Sequence, residues 1–151
     1  MNLRPMTMAD ADFMLSLKND PDTRKFAIAS HEEISKENHY KYLEDNIQYF
    51  QVIEASITTE IYRNEFGNGA KGICGRAGVI RIQDNEISIW IQRDFRGKGI
   101  ASYIIEQVSE KGMMATIVNT NIASMKAFIR AGFEPISYTP QILDGHYIFK
   151  K

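Results

Sequence analysis

The sequence predicts a single α/β (α+β) domain over residues 1–151: one mixed, mostly antiparallel sheet of six or seven strands with four helices on its faces. Three observations lead there. Strand-like runs and segments of helical periodicity follow one another in the order β-α-α-β-β-β-α-β-α-β-β, with no repeat, linker or low-complexity stretch. Residues 86–101 form a strand, a turn with two closely spaced glycines and the start of a helix. The chain has 151 residues with 44% hydrophobic content, enough for one core and too little for two ordinary domains.

Leu3-Arg4-Pro5-Met6 reads as a short first strand, and Thr7 to Asp10 as a capping box that opens a helix ending at Asp20-Pro21. Its apolar face is expected to hold Ala9, Phe13 and Leu17, with Met14 beside them. A second helix starts at either Ser30 or Ser35 and turns Tyr42, Leu43 and Ile47 inward. Tyr49 to Ile57 is rich in aromatic and β-branched residues, the composition of a strand. Whether Thr58 to Arg63 prolongs it is open, and Glu65 to Gly75, with glycines at 67, 69, 72 and 75, reads as a turn or loop. Gly78 to Ile82 is a strand that Gln83-Asp84-Asn85 turns back into the strand 86–92 as a hairpin. Ile100, Ile104 and Val108 repeat at helical spacing before Gly112. Met113 to Val118 has the apolar character of a buried strand. Residues 119–131 contain a helix with Ile122, Met125 and Ile129 expected inward, and 133–138 and 146–149 close the chain as strands.

Composition narrows the function. With 18 basic and 19 acidic residues the net charge is −1, which gives no global field for nucleic acid or an anionic membrane. Cys74 is the only cysteine and the three histidines are scattered, so neither a disulfide nor a metal site is expected. No apolar run reaches membrane-spanning length and the N-terminus lacks a signal-peptide pattern, from which a cytoplasmic location is expected.

The glycine turn is the candidate site. Gly97 and Gly99 allow backbone conformations closed to other residues, and the first N–H groups of the following helix lack intrahelical acceptors. Such donors, with the helix dipole, suit a phosphate or pyrophosphate. Arg93, Arg96 and Lys98 add positive charge at the same mouth. The same residues also suit a plain strand-to-helix turn with solvated basic side chains.

Arg96-Gly97-Lys98-Gly99-Ile100-Ala101 resembles the Gln/Arg-x-x-Gly-x-Gly/Ala signature of the GCN5-related N-acetyltransferase (GNAT) family. It lies between the fourth strand and the third helix, where that family carries it. The segment from Asn121-Ile122-Ala123-Ser124 through Phe128 to Ala131-Gly132-Phe133 is similar to the family's second motif, so the resemblance extends over essentially the whole chain. It implies acetyl-coenzyme A as co-substrate, without a metal. The amides of Gly97, Lys98, Gly99, Ile100, Ala101 and Ser102 would hold its pyrophosphate, with Arg96 beside them. The strand end Ile89, Trp90 and Ile91 would bond the pantetheine arm, and Asn121 would reach the cofactor while also suiting a helix cap.

The resemblance does not supply the acid and base. Where many members carry a tyrosine seven residues after the asparagine stands Phe128, and where some carry a glutamate on the fifth strand stands Thr116. Attack by an amine on a thioester still needs a proton acceptor. Glu86 is the candidate base, and Tyr138 or Tyr103 candidate acids, with His146 a further candidate. Residues 15–26 and 34–39 are similar to the opening of GNAT enzymes that acetylate nucleotide-linked amino sugars of the pseudaminic acid type. Ribosomal-protein N-terminal and small-molecule amine acetyltransferases open comparably. The expected partners are acetyl-CoA and a small amine acceptor, in a monomer or homodimer; a CoA-binding module without chemistry is the alternative of another class.

Overall fold

The computed structural model describes residues 1–28, 30–140 and 145–151. In chain order the strands are β1 (Asn2–Pro5), β2 (Phe50–Asn64), β3 (Gly67–Gln83), β4 (Glu86–Ile91), β5 (Met114–Val118), β6 (Glu134–Thr139) and β7 (His146–Lys150). The helices are α1 (Ala11–Asn19), α2 (Pro21–Arg24), α3 (Lys36–Asn46), α4 (Ile100–Val108) and α5 (Ile122–Arg130). The seven strands form one sheet in the order β1-β2-β3-β4-β5-β7-β6, antiparallel everywhere except between β4 and β5. The single turn α2 is an α-helix that the sequence pattern did not reveal. Pro21 starts it and the Asp20 carboxylate caps it by accepting the Asp22 amide.

Alternation along the strands divides the core in two. Ile53, Ile80, Ile87, Ala115, Ile117 and Phe149 face α4 and α5, which contribute Ile100, Ile104, Ile105 and Phe128. Val52, Val79 and Phe50 face the other way, toward Ala11, Met14 and Leu17 of α1 and Leu43 of α3. Of the expected α1 stripe, Met14 and Leu17 are buried, but Ala9 is exposed and Phe13 only half-buried, and Ala11 takes the inward place instead. On α5 the deviation is larger, because Ile122 and Ile129 are exposed while Phe128 turns inward. The largest apolar side chain sets the rotation of this short helix, and Phe128 meets Phe133 edge to face at 5.0 Å.

The main correction concerns residues 58–75. Thr58 to Arg63 prolongs β2, and Gly67 to Gly75 belongs to β3 rather than to a loop; the two strands stay paired out to Asn64 and Gly67. The glycines answer a steric demand inside the ribbon. A Cβ at Gly69 would fall into the Tyr62 ring, and one at Gly72 would lie 2.5 Å from the Ile57 carbonyl oxygen. β1 pairs only with residues 51–54 and β4 only with 78–83, so the rest of the ribbon projects beyond the sheet and exposes Ile61 and Phe66. The hairpin between β3 and β4 turns at Asp84 and Asn85 with φ of 50° and 67°, the two left-handed residues of a type I′ turn.

Asp10 ties the N-terminal elements together. It is 3% exposed and accepts from Arg4 Nη1 and Nη2 at 2.8 Å each, from the Thr7 amide at 3.1 Å and from Arg76 Nη1 at 3.3 Å. The Arg4 guanidinium, opposed by burial and helped by the Thr7 amide and Arg76, holds its carboxyl well below the usual carboxylate range. A depressed folded-state pKa stabilises the protein fully above the unfolded value of about 4, and the contribution is lost as pH falls through the folded value. Asp10→Ala is expected to lower stability at pH 7 by about 2–4 kcal/mol, because Arg76 loses its carboxylate, Arg4 is left with Glu54 alone and the Thr7 amide loses its acceptor. Urea unfolding should show that deficit at pH 7 and a progressively smaller one below about pH 4; an equal deficit at both pH values would show that packing, not charge, is what was lost.

Candidate active site

The sheet opens beside β4. β4 and β5 are in register at one pair, Glu86 and Met114, where the Met114 amide also donates to the Asn85 carbonyl at 2.9 Å and Asn85 Nδ2 donates to the Gly112 carbonyl at 2.9 Å. Beyond that joint the ladder stops, and the β4 backbone groups that face β5 border a gap rather than a strand. The turn that follows β4 lies at the open end of this gap.

That turn has the geometry an anion needs. Gly97 and Gly99 adopt φ of +71° and +78°, and a Cβ at either would meet nothing within 4 Å. The space over the backbone is open. Gly99 is the N-cap of α4, makes no side-chain cap bond and is followed by a first turn without an acidic residue. Tyr103 N donates to the Gly99 carbonyl at 3.1 Å; the earlier amides, through Ser102, point out of the helix end without intrahelical acceptors. Ile100 is buried and anchors the helix, while Ala101 and Ser102 are half-buried at its first turn.

The cations divide differently from the sequence expectation. Arg93 Nη2 lies 3.0 Å from both Asp20 Oδ1 and Asp22 Oδ2, and Arg96 Nη2 lies 3.0 Å from Asp20 Oδ2. Arg96 Nε also donates to the Ile91 carbonyl at 2.9 Å. Burial pushes the Asp20 carboxyl up, but the Asp22 amide and the two guanidinium groups outweigh it and its pKa is lowered. Arg96 thus fastens α2 to the β4–α4 corner, whereas Lys98 is exposed on the turn with no carboxylate partner among the described residues. The Ile91 carbonyl is engaged by Arg96 and the Trp90 carbonyl faces Gly78 of β3, so Ile89 and the Ile91 amide are the backbone groups of that strand end on the side of the gap. The Trp90 side chain is turned away from the gap and stacks near Phe50, 6.4 Å between centroids.

Asn121 caps α5, its Oδ1 accepting the Ser124 amide at 3.2 Å. Its Nδ2 group makes no bond to a described residue. Phe128 is 2% exposed, within the core under α5.

Glu86 and Tyr138 are not brought together. Glu86 is half-buried at the β4–β5 joint, on the sheet face shared with Ser88 and Trp90. Tyr138 lies on edge strand β6, three strands away, stacked 4.8 Å from Tyr147 on the opposite face. Its hydroxyl receives a 3.4 Å hydrogen bond from Asn119 Nδ2. Tyr103 is 46% exposed on α4. His39 is buried with Nε2 3.0 Å from the Ala11 carbonyl, and burial together with the charge of Lys18 lowers its pKa. A groove of about 580 Å³ is lined by Phe13, Ile73, Arg76, Gln92, Asp94 and Phe95, on the β3 side of β4 and outside the glycine turn. Among the described residues no group of three His, Cys, Asp or Glu side chains could hold a metal, and no helix is long and apolar enough to cross a membrane.

Comparison with known proteins agrees with this geometry. YwnH of Bacillus subtilis (strain 168), provisionally named a phosphinothricin acetyltransferase, is 26% identical over 96% of this chain and 92% of its own. A solved protein provisionally named a phosphinothricin N-acetyltransferase superposes with a TM-score of 0.70 at 21% identity, over 98% of this chain and 95% of that one. Spermidine N-acetyltransferase from Vibrio cholerae, solved with CoA and spermine, gives a TM-score of 0.69 at 12% identity over 98% and 93%. The model of the acetyltransferase (GNAT) domain matches residues 1–134, and with a splayed β4–β5 pair leading into a left-handed glycine turn, the chain belongs to the GNAT family of N-acetyltransferases.

Proposed function

We propose that the protein moves the acetyl group of acetyl-CoA to the primary amine of a small acceptor, with the 97–102 turn as pyrophosphate cradle and Glu86 as proton acceptor. The observation that carries the reading is the coincidence of two features: amides left without partners at a left-handed glycine turn, and strand-edge groups left without partners along β4. Bound acetyl-CoA supplies an activated thioester. The residues of the chain do the rest. The amides of 97–102 and the α4 dipole offset phosphate charge, and the gap-facing N–H groups of β4 suit the developing negative charge on an acyl oxygen. Glu86 takes the proton that the amine loses as its nitrogen bonds to the acyl carbon and the carbon–sulfur bond breaks. Asn121 Nδ2 is a further donor for the cofactor, as the family resemblance implies. Because coenzyme A leaves as a thiolate of modest basicity, water suffices to protonate it. Neither Phe128 nor Tyr138 has a part in these steps.

A nucleotide-linked amino sugar is one acceptor this reading admits, from the likeness of the N-terminal half; a ribosomal-protein N-terminal amine and other small amines are the rest. The relatives carry names with different acceptors, phosphinothricin for YwnH and spermidine for the Vibrio enzyme. Thiol release from acetyl-CoA in the presence of a UDP-linked amino sugar, a ribosomal-protein N-terminal peptide, phosphinothricin and a polyamine tests the proposal. At least one acceptor should turn over at about 1 s⁻¹ or faster. CoA binding without acetylation of any of them would overturn it.

A further inference from the structure

On the sheet face under α1 and α3, strand register aligns Phe50, Arg81 and Ser88 in one row and Val52, Val79 and Trp90 in the next. Lys18, in the last turn of α1, reaches down onto these rows. Its Nζ stands 5.0 Å from the centroid of Tyr42, 5.6 Å from that of Phe50 and 5.5 Å from that of Trp90. Among the described residues neither Lys18 nor Arg81 pairs with a carboxylate, whereas Arg4, Arg76 and Arg96 all do. Arg81 instead donates from Nε and Nη2 to Gln83 Oε1, at 3.0 and 2.8 Å.

Two half-buried cations therefore lie on one sheet face with no carboxylate partner among the described residues. The neighbours make this costly: burial, and then Arg81, bring the Lys18 ammonium down to about 8, so it remains mostly charged at pH 7. The groups facing it from other elements are His39 and Tyr42 of α3, Phe50 of β2, Arg81 of β3 and Trp90 of β4; none is acidic. The carboxylate on the same strand face is Glu86, two residues beyond Ser88 and so about 7 Å further along β4. One face of the sheet thus carries two cations and a carboxylate, the complement of a small molecule with an amine at one end and an anion at the other.

We propose that Lys18 and Arg81 are the specificity-determining residues of the acceptor site, binding an anionic group, a carboxylate or phosphate-type oxyanion, carried by the amine that Glu86 deprotonates. The inference rests on the proposed acetyl transfer for its catalytic half and on the cation pair for its binding half. A polyamine is disfavoured by the same charges: it would bring further positive charge against two cations in a partly dry pocket.

Two measurements separate these halves. Trp90 is the only tryptophan, so its fluorescence reports on the pocket directly. Titration with inorganic phosphate at constant ionic strength should change Trp90 emission saturably, and the change should vanish in Lys18→Met and in Arg81→Gln. An unchanged emission in the native protein, or the same response in both variants, overturns the anion site. The second measurement compares matched acceptors: an amino acid with its amide, a UDP-linked amino sugar with the free sugar, and spermidine. The anionic member of one pair should be preferred tenfold or more in kcat/KM, and which pair shows the preference tells a carboxylate from a diphosphate. Lys18→Met should abolish the preference through acceptor KM, with the KM for acetyl-CoA unchanged. Equal turnover within both pairs, or a preference that survives both substitutions, overturns the proposal even if acetylation is robust. A phosphate response without acetylation of any amine sustains the anion site and removes only the catalytic reading.

Discussion

Gly99→Val should abolish CoA binding in calorimetric titration, lowering affinity at least about 100-fold, while circular dichroism shows a folded protein. The substitution acts twice at one position. A β-branched residue at φ +78° is strained, at a cost of roughly 1–3 kcal/mol, but no atom lies within 4 Å of the new Cβ, so the surrounding packing has nothing to repel it. The branched side chain fills the volume through which an anion must pass to reach the amides of α4. Strain and occlusion can be told apart with Gly112→Val. Gly112 also has a left-handed φ, +94°, and open space at Cβ, but it lies in the α4–β5 connection next to the joint, away from the turn. That variant should lose a comparable amount of stability and keep its CoA affinity. Normal binding by Gly99→Val, or equal losses in both variants, would remove the basis for a pyrophosphate site at residues 97–102.

Glu86→Gln should slow acetylation by about 10²-fold or more at pH 7, the usual scale for a lost general base, and leave CoA affinity unchanged. The substitution keeps the shape of the side chain, replaces one acceptor oxygen by a donor and removes the charge and the ability to take a proton. A primary amine with a solution pKa well above 7 is mostly protonated at neutral pH, so raising the pH supplies the deprotonated form from solution and the deficit should shrink. Full activity of the variant at pH 7 would assign the proton to water. A rate loss that is constant from pH 7 to 9 would instead indicate that Glu86 positions the acceptor.

What was legible in the sequence follows from how local each feature is. The β4 alternation, the glycine turn and the α4 periodicity are written within the twenty-three residues 86–108, and all three stand where expected. The ribbon 58–75 was not legible, because a glycine that admits a cross-strand ring and a glycine that makes a loop are the same letter; only the partner strand distinguishes Gly69 under Tyr62 from a turn residue. The role of Arg96 was hidden for a related reason. Its partner Asp20 lies 76 positions earlier, and a basic side chain beside a glycine turn looks alike whether it awaits a ligand or is already bonded. The Lys18 pocket escaped completely, since its three rings come from α3, β2 and β4 and no spacing in the chain unites them. Phe128 gives the opposite lesson: its mismatch with the family tyrosine was visible at once, and its burial against Phe133 explains what the ring does instead.

The single β4–β5 pairing has a mechanical consequence. Four strands lie on one side of it and three on the other, and past Glu86 and Met114 the distance between these halves is no longer set by a hydrogen-bond ladder of about 4.8 Å spacing. It is set by the side chains wedged behind them, Ile100, Ile104 and Ile105 of α4. Hydrogen bonds fix a spacing in direction and length, whereas apolar packing resists compression but has no preferred direction. The molecule is therefore a hinged pair of plates with its pin at the Asn85–Met114 corner and its stiffness in the volume of three isoleucines. A substitution at Ile104 retunes that spring without touching either plate.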